Sequence, residues 1–236
     1  MKEITPLSTI DCSITVPGSK SLTQRALIAA ALADGTSTLV GPLTSEDTEY
    51  TGNALRSMGV SIDTSGNNWR IRGNSGLVAK PEQAIFLGNN GTATRFLTSV
   101  AALGNGNFAI TGDPRMEERP IQPLMEALKG WKVDIKSIKG TGCPPLTIAA
   151  KGLSGGKTIL PEGKSSQYLS SLLLVAPYAK HPATLEVLGE VFSKPYVEMT
   201  LAVMVSFGIT VEASKELNNF AIPQGTYKAH TYKVEG

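Results

Sequence analysis

Three stretches of the chain follow one plan at a spacing of about seventy residues, and this repeat limits the folds open to it more than any other feature. They are PGSKSLTQRALIAAALADGTSTLVGP (residues 17–42), LGNNGTATRFLTSVAALGNGNFAITGD (87–113) and EGKSSQYLSSLLLVAPYAKHPATLEVLG (162–189). Each opens on a loop of small polar residues, runs into an apolar helix rich in small side chains, and ends in a short β-branched strand. Laying Arg25 on Arg95 gives an offset of 70, and laying Leu97 on Leu169 gives 72. Each unit also holds a second helix leading through a glycine to a strand: 45–58 before Gly59, 121–129 before Gly130, and 195–207 before Gly208. There the glycine is expected at the helix C-terminus, where a positive φ is wanted. The first helices are apolar nearly all round, as buried helices are. The expected architecture is three α/β units around a common axis, with those helices inside.

Composition removes several function classes. The chain has 236 residues, 41% hydrophobic and 18% charged, enough for a substantial core. Its 22 basic and 20 acidic residues are scattered, so no basic stripe favours nucleic acid, and anions must be met at a local site. Cys12 and Cys143 stand apart from each other and from histidines, which points to neither a disulfide framework nor a metal. A reducing cytoplasm and a monomer are the expectation. The first sixteen residues alternate polar and apolar, reading as a strand rather than a signal peptide or membrane span.

The repeat also places chemistry. Every loop-to-helix junction presents free backbone N–H groups and the positive end of a helix dipole, and three such ends can converge on one anion. The side chains there are Lys20, Ser21 and Arg25 in the first unit, Asn89, Thr92 and Arg95 in the second, and Ser165, Ser166 and Gln167 in the third. They supply a point cation, guanidinium forks and hydroxyl donors, the groups that grip phosphate and carboxylate. Taken singly, each loop reads as a helix cap; three polar loops at one place in three repeats read as a site. The second loop is not a P-loop, since that motif's glycine spacing and Lys-Ser/Thr ending are missing. Two further segments carry the same alternatives. Arg115 and Arg119 in DPRMEERP have Asp113, Glu117 and Glu118 as default surface partners. Ser193-Lys194-Pro195-Tyr196 reads by default as the cap of the last helix.

PGSKSLTQRAL, LGNNGTATRFL, GDPRMEERPI, SSQYLSSLL and SKPYVEMTL stand in the order and spacing of the motifs of 5-enolpyruvylshikimate-3-phosphate (EPSP) synthases, and the chain resembles the N-terminal half of that family over nearly all its length. The resemblance implies an enolpyruvyl transferase-like inside-out α/β barrel domain built of three βαβαββ repeats. It divides the chain into an opening strand at 1–13 that pairs with a C-terminal domain, the three-repeat domain at 14–228, and a crossover at 229–236. It implies that Lys20, Ser21, Arg25, Ser165, Ser166, Gln167, Ser193 and Tyr196 hold shikimate 3-phosphate. Lys20, Asn89, Gly91, Thr92, Arg119 and Gln167 then surround phosphoenolpyruvate, or glyphosate in its place, and no metal or cofactor is used. Lys20 is the implied catalytic residue, sharing proton transfer with carboxylates expected on the other half and not on this chain. Asn90 and Phe96 depart from the family pattern and flank Gly91 and Thr92, so both bear on the loop where glyphosate would sit. The alternatives are a ligand-binding or complementing fragment of a split enzyme, and a relative of the transferase that acts on UDP-N-acetylglucosamine. Against the latter, neither cysteine lies in a mobile loop of the kind that enzyme uses.

Overall fold

A computed structural model describes Pro6 and residues 8–236. The helices are α1 (Lys20–Leu32), α2 (Glu46–Ser57), α3 (Gly91–Ala101), α4 (Gln122–Gly130), α5 (Ser166–Val175) and α6 (Lys194–Ser206). The strands are β1 (Thr36–Val40), β2 (Ser61–Asp63), β3 (Asn68–Arg72), β4 (Ile85–Phe86), β5 (Asn105–Thr111), β6 (Asp134–Ser137), β7 (Leu146–Lys151), β8 (Gly156–Leu160), β9 (Ala183–Val187), β10 (Glu212–Ala213), β11 (Asn219–Ile222) and β12 (Thr231–Lys233).

Among the described residues three four-stranded sheets carry one topology, in the orders β12-β1-β3-β2, β4-β5-β7-β6 and β8-β9-β11-β10. In each, the outer strand pairs parallel with the next and the remaining pairs are antiparallel. The second and third units each run βαβαββ. The first draws its leading strand, β12, from residues 231–233, so the segment expected as a crossover closes the first sheet against β1. Of the expected opening strand, residues 8–13 are exposed and form no strand, and the remainder apart from Pro6 lies outside the described residues.

The core is where the repeat puts it. From Thr23 to Leu32, α1 is buried throughout, as are nearly all of α3 and α5. Alanines along α1 and the serines of α3 and α5 allow the three helices close approach, and Ser99 and Ser171, at equivalent places in their repeats, are hydrogen-bonded across it. Their hydroxyls have partners, as buried polar groups require: Ser171 Oγ also donates to the carbonyl of Arg95 at 2.6 Å. Helix starts are specified locally. Ser19 accepts from the N–H of Leu22, Ser45 and Thr48 form a reciprocal capping box on α2, and Asn90 accepts from Ala93 N–H at 2.9 Å.

The helix-ending glycines follow the expectation at two places. Gly59 and Gly208 take φ of 91° and 89°. Gly130 does not: it lies inside α4, and the left-handed residue after the helix is Lys132, with φ of 65°. Gly130 is needed for closeness instead, since a Cβ there would stand 2.1 Å from Oγ1 of Thr158 on β8. Among the described residues no helix is long and apolar enough to cross a membrane.

Candidate functional site

The N-termini of α1, α3, α5 and α6 open on one cavity of about 510 Å³. None of these four helices has an acidic residue in its first turn, whereas α2 has Glu46, Asp47 and Glu49. Four dipole ends therefore meet without internal neutralisation, a standing preference for anions. The lining contains every residue that the family resemblance assigned to a substrate: Lys20, Ser21, Arg25, Asn89, Gly91, Thr92, Arg119, Ser165, Ser166, Gln167, Ser193 and Tyr196. Asn90, Asp47 and Lys164 complete it, so four cations face one carboxylate. A larger hollow of about 700 Å³ lies beside the C-terminal ends of α3 and α5; it has Lys151 and Lys180 in its wall among Leu77, Val78, Leu103 and Leu153, but no helix N-terminus opens on it.

Arg25 is the fixed cation. It is 1% exposed, and its Nε donates to Thr200 Oγ1 at 2.7 Å, its Nη1 to the carbonyl of Ser21 at 3.0 Å and its Nη2 to Ser170 Oγ at 3.1 Å. The guanidinium carbon stands 5.3 Å from the Phe96 ring centroid and 5.8 Å from that of Tyr196. Phe96 thus packs against the Arg25 guanidinium. Burial pushes the Arg25 pKa down to about 10, opposed by Tyr196. Among the described residues no carboxylate bonds to it, so its charge is left for a ligand.

Lys20 is paired: its Nζ lies 2.6 Å from Asp47 Oδ2. The lining therefore holds a carboxylate of its own, beside the proton-transfer carboxylates that the resemblance places on the other half. Asp47 escaped the sequence reading because it sits in the second helix of its unit, beside an ordinary capping box. Asn90 ties the two junctions together, donating from Nδ2 to the carbonyl of Asp47 at 2.7 Å while capping α3.

The serines on the other side are not spent on caps. Ser165 and Ser193 precede α5 and α6, and neither side chain makes a capping bond. Ser193 is held at φ 55°, ψ 42°, a left-handed conformation costly for a non-glycine residue. Ser193 does hold the cap position with Pro195 in the first turn, as the default reading has it, but without a side-chain capping bond, and both hydroxyls remain free to donate into the cavity.

Arg119 also departs from its default. Among the described residues it pairs with no carboxylate; its Nη1 donates to the carbonyl of Asn89 at 3.1 Å, while Glu117 is paired with Lys139. Its guanidinium lies over Gly91, where a Cβ would stand 2.8 Å from Cζ and both terminal nitrogens. Arg95, named with the second junction, does not line the cavity. It is 5% exposed, donating from Nη1 to the carbonyl of Gly91 and from Nη2 to that of Pro120, both at 2.9 Å. Its repeat position matches Arg25, but the 112–121 segment covers it. Arg115 is likewise absent from the lining. Among the described residues no group of three or more His, Cys, Asp or Glu side chains is placed to hold a metal.

Residues 4–236 match the family described as EPSP synthase (3-phosphoshikimate 1-carboxyvinyltransferase). The chain belongs to the EPSP synthase family. It is 43% identical over 225 residues to the 3-phosphoshikimate 1-carboxyvinyltransferase of Shewanella loihica, an alignment covering 94% of this chain and 53% of that protein. With the enzyme of Shewanella amazonensis the identity is 43% over 232 residues, covering 97% and 54%. The solved EPSP synthase of Acinetobacter baumannii superposes with a TM-score of 0.83 at 28% identity, covering 94% of this chain and 49% of that one. The fold is therefore the three-repeat α/β domain of EPSP synthases, and the chain spans about half the length of the relatives it matches.

Proposed function

We propose that this chain is the shikimate 3-phosphate-binding half of an enolpyruvyl transferase, and that it does not turn over alone. In the whole enzyme the 5-hydroxyl of shikimate 3-phosphate adds to C2 of phosphoenolpyruvate while C3 gains a proton, and the tetrahedral adduct then loses phosphate. Aromatic amino acid biosynthesis in the cytoplasm is the corresponding setting. Both substrates are multiply anionic, so the site must be preorganised positive charge and N–H donors.

The observation that carries this reading is Arg25: a buried guanidinium without a carboxylate partner among the described residues, opening on a cavity where four unneutralised helix N-termini meet. Ser21, Ser165, Ser166, Gln167, Ser193 and Tyr196 supply the remaining shikimate 3-phosphate contacts. Lys20, Asn89, Gly91, Thr92, Arg119 and Gln167 form one wall for phosphoenolpyruvate or glyphosate. Lys20 is the proton-transfer candidate, with Asp47 beside it to take part. The second wall and the further carboxylates belong to the C-terminal half that the relatives possess.

A coupled phosphate-release assay with both substrates tests the reading, run on this chain alone and again after adding a separately made C-terminal half. The expected result is no turnover alone and turnover on complementation. Phosphoenolpyruvate-dependent release by the pure chain, abolished in Lys20→Ala, overturns the inactivity of the half. Binding of neither substrate by either preparation overturns the assignment.

A further inference from the structure

We infer that Arg95 and Tyr168 are positioning residues that hold Arg119 in the cavity through the backbone carbonyl of Pro120. That oxygen accepts two hydrogen bonds, from Tyr168 Oη at 2.6 Å and from Arg95 Nη2 at 2.9 Å. The two donors also meet each other, the Arg95 guanidinium carbon standing 5.9 Å from the Tyr168 ring centroid. Arg95 Nη1 reaches in the other direction to the carbonyl of Gly91, in the first turn of α3. One carbonyl therefore fastens three elements of the site: the start of α3, the start of α5 beside Ser166 and Gln167, and the segment bearing Arg119.

The lever from Pro120 to Arg119 is short. The proline ring fixes its own φ, so once its carbonyl direction is held, the preceding peptide plane and the Cα of Arg119 have little freedom. Arg119 then spans to the Asn89 carbonyl at 3.1 Å and lies over Gly91. Stability alone does not account for Arg95. Its guanidinium is buried without a carboxylate, burial lowers its pKa, and its Nε has no hydrogen-bond partner. An apolar side chain of similar volume would avoid that desolvation cost. What the arginine provides is a two-headed donor whose acceptors are both site carbonyls.

The importance of Arg119 for phosphoenolpyruvate rests on the proposed function, but the clamp itself is read from the ligand-free chain. Nitrogen-edited NMR of the arginine guanidinium groups, with amide hydrogen exchange, compares the wild type with Tyr168→Phe and Arg95→Met. Tyr168→Phe keeps the ring and removes only the hydroxyl. The expected result is that the Arg119 guanidinium signals shift and average, and the Ile121 amide exchanges about fivefold faster, the size of one lost hydrogen bond. Signals of Arg25, which Thr200 and Ser170 hold independently, stay in place, and shikimate 3-phosphate affinity is unchanged. If Arg95→Met does not fold, Tyr168→Phe decides alone. Unmoved Arg119 signals, or Arg25 signals moving as much as those of Arg119, overturn the inference. Failure of the wild type to bind shikimate 3-phosphate counts against the proposed function and leaves the guanidinium comparison to judge the clamp.

Discussion

Lys20 Nζ and Asp47 Oδ2 stand 2.6 Å apart at the mouth of the cavity, joining the first turn of α1 to the first turn of α2. Their side chains are 51% and 31% exposed, so the pair is screened, and its removal is expected to change stability by less than about 1 kcal/mol. Its effect on ligands is larger, because Asp47 is the one carboxylate in the lining. In Asp47→Asn, shikimate 3-phosphate should bind about threefold more tightly, with a steeper salt dependence, since Lys20 is released and a repelling charge is gone. Calorimetry at two salt concentrations, with thermal unfolding, checks this; weaker binding would show that Asp47 orients the lysine more than it opposes the anion.

The pH dependence of binding follows from Arg25. Its pKa is lowered to about 10 by burial, so it stays about nine-tenths charged or more up to pH 9. Because the unfolded chain holds this proton more tightly, the burial cost is constant below about pH 10 and fades only above it. Arg25 therefore gives neither stability nor affinity a slope between pH 7 and 9. The ligand titrates instead, its phosphate gaining its second charge near pH 6. Affinity for shikimate 3-phosphate is expected to rise from pH 5 to 7 and stay level to pH 9, as read by calorimetry. A fall between 7 and 9 would mean that another cation controls binding.

Gly91→Ala separates the two substrate places. The backbone of Gly91 is helical and accepts alanine, but the new methyl would meet the Arg119 guanidinium at 2.8 Å and displace it. Folding and shikimate 3-phosphate affinity should be kept. Any perturbation of the Arg119 guanidinium NMR signals by glyphosate, added with shikimate 3-phosphate at saturation, should be lost. Equal weakening of both ligands would place Arg119 against the wrong one.

The repeat was legible because buried helices demand apolar, small side chains at a fixed period, and the caps before them are written in Ser and Asn. Function was legible where a polar loop recurred at the same helix start. Arg25 and Arg95 show where that signal ends. Both turn back to the carbonyl four residues earlier, at 3.0 and 2.9 Å, yet only Arg25 opens on the cavity. The difference lies in what covers each, and the 112–121 segment reaches Arg95 only through the tertiary fold. Asp47 was hidden for the same reason, since its approach to Lys20 depends on how α2 leaves β1. At Gly130 a local rule gave way to packing: Thr158 leaves no room for a side chain, and Lys132 took the turn instead.

The central claim is that the junctions of this half hold shikimate 3-phosphate, with Arg25 as the buried anchor. Calorimetry with shikimate 3-phosphate and with phosphoenolpyruvate, on the wild type and on Arg25→Ala, tests it most directly. The account predicts weak, salt-sensitive binding of shikimate 3-phosphate and no measurable binding of phosphoenolpyruvate alone. It also predicts at least a tenfold loss in Arg25→Ala, about 1.4 kcal/mol or more, as expected for a buried charged donor. Equal affinity for the two ligands, or shikimate 3-phosphate binding that survives Arg25→Ala unchanged, would contradict it.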